Sequence, residues 1–330
     1  MNKRGQAEQF NWIFVIVAGA IILGFFTMFV FQYIDLQEKR QEVESVRFFG
    51  NVLNVLEKLQ IGDAGYAVRS TDTQGLRFGY KVDLSYYCKG NDAKILINKG
   101  EIASYNLANE IVFTEEKQRV NGLTMGIMPW IYPFHITNFI YLSDPNKIYH
   151  IIYDESSEEF VNRLEEENEV IFNAIKYEKT RINELKPKQN SKIIIFSSQK
   201  PYETKIKELK GSGNSNFVHV NINTEKISFF GRNGWEDEIK YYGNPMLLGS
   251  LFMDNTEAYE CNVNRAFERL KTVTNIYIER TELLKRIDPK QECQYELIVS
   301  SLRKFSEGDY KMAENLAEQN NQGAGCLWVF

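Results

Sequence analysis

Trp12-Ile13-Phe14-Val15-Ile16-Val17-Ala18-Gly19-Ala20-Ile21-Ile22-Leu23-Gly24-Phe25-Phe26-Thr27-Met28-Phe29-Val30-Phe31 lies inside an uncharged run from Gln9 through Ile34. A helix of this length, rising about 1.5 Å per residue, crosses a hydrocarbon core of roughly 30 Å. The stretch reads as a transmembrane helix, so membrane lipid is an expected partner. A cleavable secretory signal has a shorter apolar region, about 7–15 residues, that ends at a small-x-small site. Here Phe25, Phe26 and Phe31 carry the bulk on to Tyr33 without such a site. The span therefore reads as a retained anchor.

Ahead of it stand Lys3-Arg4-Gly5-Gln6-Ala7-Glu8. This leader resembles the N-terminus of archaeal type IV pilin-like proteins, which carry a class III signal peptide. The resemblance implies removal of the basic leader after Gly5, a mature chain that starts at Gln6, and a helix that packs into a filament or stays in the membrane. It covers about the first tenth of the chain. The acidic residue usual about five positions after the cut is missing, and Glu8 sits earlier. Phe10-Asn11-Trp12-Ile13-Phe14 also resembles uncharacterised archaeal single-pass proteins, a likeness that implies no activity. An uncleaved signal anchor is the alternative.

Lysine and arginine flank both ends of the span, Lys3 and Arg4 on one side and Lys39, Arg40 and Arg47 on the other. The positive-inside rule therefore gives no orientation. A short basic tail before one long apolar helix is how a signal anchor begins, and four cysteines suit an oxidising exterior. Both features place the C-terminal part outside the cytoplasm.

The remainder has the composition of an ordinary folded ectodomain. The chain has 330 residues, of which 43% are hydrophobic and 25% charged, enough for more than one core. Its net charge of −5, with no basic stripe interleaved with aromatics, argues against a nucleic-acid partner. Cys88, Cys261, Cys293 and Cys326 are widely spaced without a Cys-x-x-Cys pair, which disfavours zinc. As disulfide cysteines they allow three pairings, and sequence does not choose among them. A bridge from Cys326 would pin the terminal Gly323-Ala324-Gly325-Cys326-Leu327-Trp328-Val329-Phe330 to the domain. Buried free thiols are the other reading.

The expected fold class is α+β / α/β, in six segments. A leader (1–9) and the transmembrane helix (10–34) continue into an amphipathic stalk helix (35–64), whose Val46, Phe49, Leu53, Leu56 and Leu59 fall three and four apart. Ile61-Gly62-Asp63-Ala64-Gly65 would end it. The next segment (65–141) is β-rich: Leu76 to Leu84 alternates, and Lys94-Ile95-Leu96-Ile97 and Ile111-Val112-Phe113 are short β-type runs. Met128-Pro129-Trp130-Ile131-Tyr132-Pro133-Phe134-His135 reads either as an exposed aromatic recognition loop or, more commonly for such runs, as packing at a junction.

In 142–250 strands alternate with helices, as in a small Rossmann-like α/β unit. Strand Ile148–Tyr153 is followed by a capping-box pattern, Ser156 with Glu159, and a helix running to Lys186 before Pro187. Strand Lys192–Phe196, a helix near Tyr202 to Lys210, strand Phe217–Ile222 and a hairpin around Arg232-Asn233-Gly234 complete it. Residues 251–330 read as a helical hairpin or short bundle on one face of the sheet, broken at Asp288-Pro289.

Chemistry in the sequence is thin. A ligand of the α/β unit would sit beyond the carboxyl ends of its strands, where Asp154, Glu155, Ser156, Ser197, Ser198 and Gln199 form a rim. Asp and Ser after strands are equally ordinary turn formers and helix caps. Gly211-Ser212-Gly213 follows a helix and enters a strand, the reverse of a dinucleotide fingerprint. No P-loop, His-Glu-x-x-His or Gly-x-Ser-x-Gly motif occurs. His135, His150 and His219 read as structural, and Glu165-Glu166-Glu167 as a solvated helix face. No cofactor or metal is implied. The expected role is a non-enzymatic, membrane-anchored envelope protein whose partners are like subunits or other envelope proteins. An anchored enzyme or receptor using the crevice is the alternative.

Overall fold

The computed structural model describes residues 3–58, 66–69, 77–98, 104–185, 190–201, 203–211, 216–288, 293–320 and 326–330. A 56-residue helix, α1 (Lys3–Lys58), opens the chain. Strands β1 (Tyr66–Arg69), β2 (Arg77–Lys89), β3 (Asp92–Ile97), β4 (Ser104–Asn106), β5 (Ile111–Phe113), β6 (Lys117–Gly122), β7 (Thr124–Ile131) and β8 (His135–Ser143) follow. Then come β9 (Ile148–Tyr153), α2 (Glu158–Glu167), α3 (Glu169–Ala174), β10 (Lys176–Thr180), β11 (Ser191–Ser197), α4 (Glu203–Gly211), β12 (Asn216–Asn221), β13 (Lys226–Phe229) and β14 (Ile239–Lys240). Helices α5 (Asn244–Phe252), α6 (Thr256–Ile287), α7 (Tyr295–Ser306) and α8 (Met312–Asn320) close it. The fold is mixed α+β, with one long apolar helix ahead of sheets and C-terminal helices.

The β-rich part forms two four-stranded sheets, ordered β4-β3-β2-β6 and β1-β7-β8-β5. Alternation dictates the first: in β3 the burial pattern puts Ala93, Ile95 and Ile97 inward while Asp92 stays exposed. Met128–His135 is packed rather than presented. Trp130 stacks on Phe139 at 5.4 Å and meets Phe267 of α6 edge-on, while Phe134 touches Tyr277, Phe305 and Phe330.

The third sheet has the order β10-β9-β11-β12-β13-β14; its first four strands are parallel and its last two antiparallel. Two expectations are corrected here. The helix expected to reach Lys186 ends at Ala174, and Lys176–Thr180 is instead an edge strand beside β9. Its sequence, Lys-Tyr-Glu-Lys-Thr, has the charges that protect a sheet edge. The capping box is also absent: the N-cap of α2 is Ser157, which makes no side-chain cap.

The C-terminal helices pair α6 with α7, as the break at Asp288 implies. They pack chiefly on the two β-rich sheets, with Tyr259 of α6 also reaching Phe229 of β13 in the third. Helix α6 packs on β2, β5 and β8, and it starts where Asn255 Oδ1 accepts from Ala258 N at 2.8 Å. Helix α5 fills the space against β5, β7 and β8 with Met246 through Phe252 all buried. One continuous core joins Phe49 of α1, all three sheets, α5 to α8 and Val329; a smaller core lies under α4 around Ile193, Ile195 and Ile206.

Candidate functional site

Helix α1 is the functional feature with the clearest geometry. Trp12, Phe14, Leu23, Phe25, Phe26, Phe29 and Phe31 are all exposed, and none of the most apolar 18-residue window is covered by the rest of the protein. Among the described residues this is the one helix long and apolar enough to cross a membrane. Gly19 and Gly24 have nothing within 4 Å of where a Cβ would stand. The backbone of Lys3–Gln6 lies in the first turn of α1; the side chains of Lys3, Arg4 and Gln6 lie outside the described residues.

The same helix then docks on the head. Gln41 O accepts from Ser45 Oγ at 2.9 Å and from Tyr80 OH of β2 at 2.6 Å, and the two hydroxyls are 2.6 Å apart. Phe49 is buried edge-on against Tyr105 at 5.6 Å. Gly50 passes so close that an added Cβ would stand 2.8 Å from Tyr105 Cε2. From the expected stripe, Val46 and Phe49 thus pack on the protein's own head. The side chains of Leu53 and Leu56, and all of Leu59–Gly65, lie outside the described residues. From Ile34 to Ser45 the helix rises about 16 Å, which sets a short stalk.

All four cysteines are paired. Cys88–Cys261 ties the end of β2 to α6 across 173 residues, and Cys293–Cys326 ties the chain just before α7 to the C-terminal segment across 33. The second bridge holds the terminal segment in place, with Val329 buried and Asn320 Oδ1 accepting from Val329 N at 2.9 Å.

The crevice of the parallel sheet opens where β9 and β11 lie side by side with β10 beyond β9, so the connections diverge in opposite directions. Asp154 and Ser156 meet there, joined by Ser157, which sequence reasoning missed. Asp154 Oδ1 accepts from Ser156 N and Ser157 N at 3.0 Å each, from Ser156 Oγ at 2.6 Å and from Ser157 Oγ at 2.9 Å. The Ser157 hydroxyl has one proton, which Asp154 Oδ1 shares with Phe196 O of β11 at 2.7 Å. Partial burial raises the carboxyl, but the hydrogen bonds from Ser156 and Ser157 outweigh it and hold Asp154 below its ordinary value.

Ser197 and Ser198 form a separate cluster. Ser197 Oγ donates to Gln199 O at 2.7 Å and lies 3.1 Å from His219 Nε2, while Ser198 O accepts from Asn221 Nδ2 at 3.1 Å. A nucleophilic serine donates its proton to the imidazole. Here the Gln199 carbonyl at 2.7 Å is a nearer acceptor for that proton than His219 Nε2 at 3.1 Å. Burial, and next the Lys200 ammonium, push His219 down to about 4, which keeps the ring neutral. His150 is buried in β9 with Nδ1 3.5 Å from Glu178, and exposed His135 pairs with Asn138 at 2.9 Å. Among the described residues no group of three His, Cys, Asp or Glu is disposed to hold a metal.

One cluster has no signature in the sequence. Lys192 of β11 is wholly buried, and its Nζ has no hydrogen-bond partner among the described residues; it stands 5.9 Å from the centre of the Phe229 ring. Burial pushes its ammonium down to about 7 against the opposing pull of Glu115 and Asp254, with Lys147 adding to the fall. Lys147 and Glu115 form a buried ion pair nearby. A sealed amine of this kind has no access for a substrate; what it can do is change the charge inside the core. Compared with protein-family models, curated proteins and solved structures, the chain matches none.

Proposed function

We propose that the protein is a non-enzymatic, single-pass membrane protein of the cell envelope, anchored by α1 and presenting its disulfide-bonded head outside the cytoplasm. The observation that carries this reading is an all-round apolar face on α1 with no protein over it. An apolar surface of that size and length is stable only in lipid or against another protein. The two disulfides support an oxidising compartment for the head. The leader Lys3-Arg4-Gly5-Gln6 supports pilin-like processing ahead of the span, with like subunits or envelope proteins as partners. The parallel order β10-β9-β11-β12 supports reading that unit as Rossmann-like. Its crevice argues for a structural role there, because Asp154 and the serines spend their hydrogen bonds on one another.

The test is to label intact cells with a membrane-impermeant amine reagent. An exterior head is labelled before lysis, and the intact mass shows a chain that begins at Gln6. Labelling only after lysis would reject the exterior placement, and a chain still carrying Lys3 and Arg4 would reject leader processing.

A further inference from the structure

A groove of about 430 Å3 runs along β8, within the size range of ligand pockets. Four consecutive residues of that strand, His135 to Asn138, line it. Successive side chains of a strand point to opposite faces, so a groove that touches four in a row passes around the strand's edge, and from there it reaches Ile127 and Ile140 on one face. The pairing agrees. Strand β7 pairs with β8 from His135 onward, with a register shift that leaves Ile136 unpaired, whereas on the other side β5 pairs only with Phe139, Ile140 and Tyr141. Among the described residues no strand covers the second edge of His135–Asn138.

The chain leading into β5 supplies the groove's end at Asn109 and Glu110, and α6 supplies its far wall with Arg269 and Val273. The groove therefore occupies the place where β5 would continue if it were longer. In an antiparallel pair every second residue directs its N–H and C=O away from its partner, so this edge offers backbone donors and acceptors to whatever lies alongside. The wall charges are unequal in availability. The Glu110 carboxylate accepts from Tyr105 OH and Asn109 N, both at 3.1 Å. Arg269 is exposed and has no ion-pair partner among the described residues.

We propose that this groove takes an extended segment of a partner protein, added as a strand to the open edge of β8, with an acidic side chain of the segment set against Arg269. The recognition is β-augmentation: main-chain hydrogen bonds to the edge give affinity, and one side-chain contact gives selectivity. The buried Ile127 and Ile140 behind the edge suit short apolar neighbours of the acidic residue. The proposal does not depend on whether α1 crosses a bilayer.

The test uses the full chain in detergent micelles, with amide hydrogen exchange read at His135–Asn138. The probes are the capped peptide Thr-Val-Glu-Val-Thr and its Thr-Val-Lys-Val-Thr counterpart. In the free protein the amides of this stretch that face the open edge should exchange fast, and the glutamate peptide should slow them at least about tenfold while the lysine peptide does not. Arg269→Glu should reverse the preference. Edge-facing amides already protected in the free chain, or no slowing by either peptide at saturating concentration, would overturn the site; equal slowing by both would overturn the acidic partner.

Discussion

Helices α1 and α5 are both apolar on every side, yet they meet opposite surroundings. In α5 every residue from Met246 to Phe252 is buried, and Gly249 lies so close to Phe113 that an added Cβ would stand 2.6 Å from its ring. In α1 the corresponding surface is bare, and Gly24 has no neighbour within 4 Å. Length separates them: nine residues span about 14 Å and fit inside a domain, whereas the 26 uncharged residues of Gln9–Ile34 span about 39 Å and do not. An all-apolar helix always needs an apolar environment. The head supplies it for α5, and for α1 it has to come from outside the fold.

The sharpest way to break that comparison is to charge the bare helix. Leu23→Lys with Phe26→Lys should disfavour insertion by about 5–7 kcal/mol in total and move the chain out of the membrane fraction. The melting temperature of the head should not change. Leu248→Ala in α5 should do the reverse, costing about 2–5 kcal/mol of head stability while the chain stays in the membrane fraction. A head destabilised by the α1 lysines would show that α1 is a core helix after all.

Lys192 tests how strictly the head's interior excludes charge. Its value of about 7 in the folded chain lies below the ordinary 10.5. Between these limits the unfolded chain holds a proton that the folded chain lacks, so stability rises with pH across the window. Below about pH 7 both states are protonated and the folded state bears the whole cost of the buried ammonium. Lys192→Met should therefore stabilise the head by about 1–4 kcal/mol at pH 6–7. Denaturant titrations of the two proteins should converge as pH approaches 10.5; a gap that stays constant with pH would show that the amine does not titrate in this range.

The smallest effects distinguish the two parts of α1 itself. Gly24→Leu should leave the stability of the head within about 0.5 kcal/mol of the parent, since nothing stands beside it. Gly50→Leu forces Tyr105 aside and should cost about 1–3 kcal/mol, with faster exchange of the stalk amides near Ser45. Equal responses at both glycines would mean that the stalk does not dock.

Sequence revealed what is encoded by local pattern. The uncharged run located α1, alternation located β2, a short β-type run located β3, and Asp288-Pro289 marked the end of α6. Where the local pattern misleads, the reading failed. Lys176–Thr180 has the charges of a helix surface and became an edge strand because β9 supplied a pairing partner. The burial of Lys192 arises from where β11 meets Phe229 and the Glu115 loop, which no spacing records. The disulfide partners, 173 and 33 residues apart, are likewise products of the fold. At the crevice Asp154 and Ser197 follow β9 and β11, and their hydrogen bonds were not legible in the sequence: Asp154 accepts from its own turn, and Ser197 Oγ lies 2.7 Å from the Gln199 carbonyl.

The central claim is that α1 holds an oxidised head to a membrane, and it is tested most directly on native membranes washed with alkaline carbonate. The account predicts that the chain remains in the pellet and that reduction raises its intact mass by four hydrogens, two for each disulfide. A chain released into the wash, or a mass unchanged by reductant, would contradict it.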